Sequence, residues 1–209
     1  MIPLSTALSE LADRMRTTPA RRWAAMHDCF GSWVDGSTLR SVLRQHLLSL
    51  GPDKAAALIG RSRETTTHFA WCLRDRAAEP FTFWLHEYKP QSDWRPGYAD
   101  SVHNHRYHFC TVILRGGYLH ERYATTIDPN TGLISSATLL RRTECAVGES
   151  GFLLADEFHR IPSAADQTMT FLVKSRPVSP ASLSFDPATK IGHRHVPVES
   201  RLEELTSRI

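Results

Sequence analysis

No stretch of the 209-residue chain approaches the roughly 20 consecutive apolar residues that a membrane-spanning helix needs, so no membrane partner is expected. The opening segment MIPLSTALSELADRMRTTPARRW also lacks an apolar core of signal-peptide length, because Glu10 and Asp13 interrupt it early. A cytoplasmic setting follows as the expectation. Cysteine is scarce: Cys29, Cys72, Cys110 and Cys145 stand far apart with no C-x-x-C pair, which excludes a disulfide framework or a cysteine zinc site. Charge of one sign is lacking too. The formal net charge is only +3, and the basic residues are scattered instead of forming a phosphate-tracking stripe, so no nucleic-acid partner is expected. Internal repeats and low-complexity tracts are absent.

What remains is ordinary globular usage, with 41% hydrophobic and 22% charged residues. That composition supports one cored domain with additions. The first sixty residues read as helical. Leu4, Leu8, Leu11 and Met15 form one stripe over 4–15, and Leu39, Val42, Leu43, Leu47 and Leu50 form another, with Ser37-Thr38 as its cap and Gly51-Pro52 as its end. Such stripes need a surface to bury against, so this region should pack on the rest as a unit. From about residue 65 the character changes. Segments 81–88, 109–114, 117–123, 151–155 and 169–175 are short and rich in aromatic and β-branched residues, and Arg115-Gly116-Gly117, Asp128–Gly132 and Gly148–Gly151 supply turns between them. The expected organisation is a helical extension at 1–60, an all-β barrel or jelly roll at 61–185, and a tail at 186–209 ending in a short helix.

The chemistry concentrates in GYADSVHNHRYHFCTVILRGG, residues 97–117. On a strand, His103 and His105 would return to one face about 7 Å apart and could converge on one ion. His159, in DEFHRIP, can supply a third imidazole from a second strand-like segment. The second H-x-H pair, His193 and His195, lies in a polar tail and reads as exposed.

Gly97, His103, His105 and Gly116, with His159 some fifty residues on, resemble the two metal motifs of the cupin superfamily, and most closely its cysteine dioxygenase branch. The resemblance covers about 65–180 and implies a double-stranded β-helix holding one divalent transition metal, iron(II) first, with nickel and zinc as alternatives. It further implies an oxygenase that uses O₂ on a small-molecule substrate such as cysteine or another amino acid or thiol. Two other readings stay open: a Lewis-acid lyase or isomerase with Tyr107 or His108 as general base, and a sensor cupin without turnover. Where cupins carry a glutamate ligand this chain has Phe109 or Cys110, so three neutral imidazoles would leave the ion's 2+ charge uncompensated and favour an anionic substrate.

The branch's Ser-His-Tyr set falls on Thr170, Leu172 and Lys174, and its carboxylate-binding arginine falls near Trp71, with Arg74 as the nearest replacement. Cys110 matches the branch's cross-linked cysteine, yet no tyrosine follows Tyr123, so Cys110 is expected as a free thiol lining the pocket or just beneath it. Tyr107 and His108 follow the ligands directly. Arg74, Lys174 and Arg176 are candidate anion clamps, and Trp71, Trp84 and Tyr88 candidate pocket walls.

Overall fold

The computed structural model describes residues 2–18, 22–36, 38–198, 201, 202, 205 and 208. Four helices come first: α1 (Leu4–Thr17), α2 (Trp23–Asp35), α3 (Leu39–Leu48) and α4 (Pro52–Arg61). Pro52 fills the first turn of α4, where its missing N–H costs nothing, so Gly51-Pro52 closes one helix and opens the next. Thr38 stands at the start of α3 without a capping side-chain bond. Ser37, and most of the expected terminal helix at 198–209, lie outside the described residues.

Twelve strands follow: β1 (Arg63–Glu64), β2 (His68–Arg74), β3 (Phe81–Tyr88), β4 (Val102–His103), β5 (Phe109–Arg115), β6 (Gly117–Ile127), β7 (Ile134–Ala146), β8 (Ser150–Leu153), β9 (Phe158–Ala164), β10 (Met169–Ser175), β11 (Ser182–Asp186) and β12 (Ile191–His195). They form two antiparallel six-stranded sheets, in the orders β1-β2-β3-β10-β5-β8 and β12-β11-β4-β9-β6-β7. This is the expected jelly-roll barrel with an N-terminal helical extension. The tail contributes β12, whose His195 bonds Ser184 of β11 at 2.7 Å.

The first sheet is covered on both faces, and strand alternation divides the work. Phe81, Phe83 and Leu85 of β3, Cys110, Val112 and Leu114 of β5, and Phe171 and Val173 of β10 share one core with Leu8, Leu11, Met15, Phe30 and Leu43 of the helices. The rings of Phe30 and Phe171 stack at 6.2 Å. The alternate residues, among them His86, Tyr88, Phe109, Thr111, Ile113, Thr170, Leu172 and Lys174, line the barrel interior. Helices therefore seal one side of the sheet and leave the other free to build a cavity.

Candidate metal centre

His103 ends β4 and pairs directly with His159 of β9, and facing residues of an antiparallel pair carry their side chains to the same side. Each is only 5% exposed. His105 arrives differently. β4 stops at His103, so the third imidazole comes from the connection into β5 and not from strand alternation. Asn104, between the two histidines, fixes that connection: its Nδ2 donates to the Ala155 carbonyl at 2.9 Å, its Oδ1 accepts from Leu183 N at 2.7 Å, and its own N–H donates to the Leu183 carbonyl. The Tyr98 hydroxyl donates to the Asn104 carbonyl.

The ligand atoms of His103, His105 and His159 lie within 4.8 Å of one another, and no carboxylate or cysteine joins them among the described residues. Their protonation states suit a cation. Burial holds all three rings below the usual histidine range, His103 at about 4 and the other two well under the ordinary value, so they stand as neutral donors. Nδ1 of His103 is 2.8 Å from the Ser101 carbonyl. A carbonyl can only accept, so Nδ1 carries the proton and Nε2 presents its lone pair. His159 has an unexpected partner: its Nδ1 lies 3.1 Å from Nε2 of His120 on β6. For Nε2 of His159 to face an ion, Nδ1 must donate to His120, which then holds its own proton on Nδ1. Neither His120 nor Asn104 stood out in the sequence. The only signal available was inward parity along β6 for His120, and that strand's pairing with β9 is not written locally.

These rings line a cavity of about 370 Å³ whose walls include Tyr88, Phe109, Ile113, Leu153 and Leu172. Of the residues singled out from the sequence, Tyr88, Tyr107, Thr170, Leu172 and Lys174 line it. The Tyr107 ring stacks on His105 at 5.2 Å, and Lys174 Nζ lies 5.0 Å from the centroid of the Tyr107 ring. Others lie elsewhere. Cys110 points away from the cavity into the helix-facing core, because it alternates with the inward Phe109 and Thr111. Burial, and Cys29 nearby, push its thiol up to about 12. His108 accepts from Ala155 N at 2.9 Å and packs on Trp23 of α2. Arg74 pairs with Glu79 through two bonds, at 2.7 and 2.6 Å, and reaches Ser5 and Ser9 of α1, so it ties the β2–β3 hairpin to the helices. Trp71 donates to Glu87 on the outer face. Arg176 is held by Asp75 and the Glu79 carbonyl. Trp84 lies in a small apolar cluster with Phe109, Leu153 and Leu172.

No family model matches the chain, and neither does any curated protein. Solved structures of oxalate decarboxylase do align. One from Bacillus subtilis, studied for its Mn(II) centres, is 16% identical over 61% of this chain and 30% of its own, with a TM-score of 0.39. One from Lactobacillus farciminis, in a formate complex, is 17% identical over 56% of this chain and 31% of its own, with a TM-score of 0.37. This chain thus spans under a third of the length of either. Both are decarboxylases, and the thiol-dioxygenase branch suggested by the histidine motif finds no support in them. No helix among the described residues is long and apolar enough to cross a membrane.

Proposed function

We propose that the protein is a mononuclear metal enzyme, an iron(II)-dependent oxygenase acting on a small amino acid or thiol. The observation that carries this is the set of three neutral imidazoles, His103 and His159 buried and His105 half-buried, facing one cavity with no carboxylate beside them among the described residues. His103, His105 and His159 would hold the ion, with the Ser101 carbonyl and His120 fixing the ring tautomers. A bound ferrous ion would supply O₂ chemistry, and its uncompensated charge would favour an anionic substrate. The chain's own part is to orient that substrate and keep water from it: Phe109, Ile113, Leu153 and Leu172 make a dry wall, and Tyr107 braces His105. The test is metal analysis of the purified protein followed by oxygen-electrode traces with cysteine, other thiols and amino acids. Stoichiometric iron with substrate-dependent oxygen uptake supports the reading. Metal without uptake across the set overturns it.

One observation favours a second reading, a Lewis-acid lyase or isomerase. His68 and His86 stack at 4.3 Å on the same cavity wall, and burial holds both neutral, His68 at about 3. Either neutral ring could accept a hydrogen bond from a substrate polarised by the ion. Product formation without oxygen consumption would distinguish this reading from the first.

A further inference from the structure

Lys174 sits on β10 with only 3% of its surface exposed, and its side chain lines the cavity. A buried ammonium ordinarily has a carboxylate against it, because desolvating the charge alone is costly. Here Nζ has no such partner among the described residues. It lies 3.3 Å from His86 Nε2 and over the rings of Trp84 and Tyr107, at 4.5 and 5.0 Å. A second cation aggravates the arrangement instead of relieving it. The Arg63 guanidinium lies 5.2 Å from the centroid of the Trp84 ring. Burial first, and Arg63 second, hold the lysine well below its ordinary range. Two basic groups thus meet at the Trp84 ring, and the buried one faces the cavity without an anion.

We propose that Lys174 is the docking point for a carboxylate of the substrate, so that the substrate is a small carboxylate whose reacting end lies at the three histidines of the same cavity. One ring links the two ends: Tyr107 stacks on His105 at 5.2 Å, and Lys174 Nζ lies 5.0 Å from the centroid of the same ring. An arriving carboxylate would compensate the ammonium and take its charge-assisted hydrogen bond. The orientation of the substrate rests on the metal reading; the subsite stands on Lys174 alone.

The test uses the full-length protein as purified, with its metal content measured, and two probes of matched shape: propionate and uncharged propionamide. Ligand-observed NMR titration should show saturable propionate binding that Lys174→Met weakens about tenfold or more, with propionamide unaffected and metal content unchanged. Methionine keeps the apolar stem and removes a buried amine that pairs with no anion, so the variant should melt no lower than the parent. Should it nonetheless fail to fold, Lys174→Gln replaces it, and propionate must in addition raise the parent's melting temperature more than propionamide does. Equal propionate binding in parent and variant overturns the proposal, as does a parent that does not distinguish the two probes. Discrimination by metal-free protein would keep the subsite while removing the metal reading. Metal retention without discrimination would do the reverse.

Discussion

His120 shows how one imidazole can govern another. It is not placed to bind the ion, yet its Nε2 is the partner that sets the tautomer of His159. Replacing it with alanine should therefore lower metal affinity by about 10- to 100-fold, the range typical for losing such a partner, while His120→Gln, which keeps an acceptor, should recover part of the loss. Chelator competition measures this, and equal affinities in all three proteins would deny His120 that role. Cys110 makes the opposite case. It is fully buried against the helices with its thiol pushed up to about 12, so very little of the reactive thiolate exists at neutral pH. Iodoacetamide should leave Cys110 unlabelled in the native protein and label it once urea unfolds the chain. Peptide mass spectrometry reads both states and would also reveal any cysteine–tyrosine cross-link, which this geometry does not support.

The turn between β5 and β6 rests on Gly116, which has φ of +72° and stands where an added Cβ would come within 2.3 Å of the Thr168 hydroxyl and 2.9 Å of the Thr168 Cα. That hydroxyl also bonds the N–H and carbonyl of Gly117, so it cannot move aside freely. Gly116→Ala should destabilise the protein by about 1–3 kcal/mol, read from urea denaturation; a change within 0.5 kcal/mol, about the size of a neutral surface substitution, would show that the turn relaxes. On the other face of the first sheet, Phe30→Ala removes a fully buried ring stacked on Phe171 and should cost about 3–5 kcal/mol. A loss under 1 kcal/mol would mean that α2 does not seal the barrel. These elements were legible to different degrees. β3 and β10 were marked by dense aromatic and β-branched runs, and their bounds coincide with 81–88 and 169–175. β7 was not marked, because Ile134–Ala146 is an exposed edge strand with a polar composition. β9 was seen only as the end of a segment, since Pro162 and its charged neighbours hide the alternation. The ligand triad was legible because its residue types are distinctive. Asn104, His120 and the outward turn of Cys110 were not, because each depends on which strand lies beside which.

Across the whole molecule the barrel interior is unusually rich in neutral histidine. His68, His86, His103, His105, His120 and His159 all line the cavity, and burial is the first cause depressing each of them. The folded protein resists protonating these rings, His68 down to about 3 and His103 and His120 to about 4, whereas in the unfolded chain each returns to its ordinary value of about 6.5. Between those limits the unfolded state binds more protons, so stability rises with pH there. The stabilising contribution is therefore complete above about 6.5 and falls as pH drops towards 4, each such ring costing up to about 1.4 kcal/mol per pH unit. The melting temperature should hold steady from pH 8 to 7 and fall steeply between pH 6 and 4.5. Carboxylate pairs such as Arg74–Glu79 shift in the other arm of the scale: Glu79 is depressed below 4.5, chiefly by its bond to Arg74, so its loss comes only at lower pH. The two sources separate by mutation. His68→Phe keeps a ring stacked on His86 and deletes one titrating group, so proton uptake on unfolding near pH 5, taken from the pH dependence of the urea midpoint, should fall by about one proton. A melting curve that is flat from pH 7 to 5, or an uptake unchanged in His68→Phe, would mean that the interior histidines already carry protons in the fold. That result would also count against three neutral imidazoles able to bind a metal.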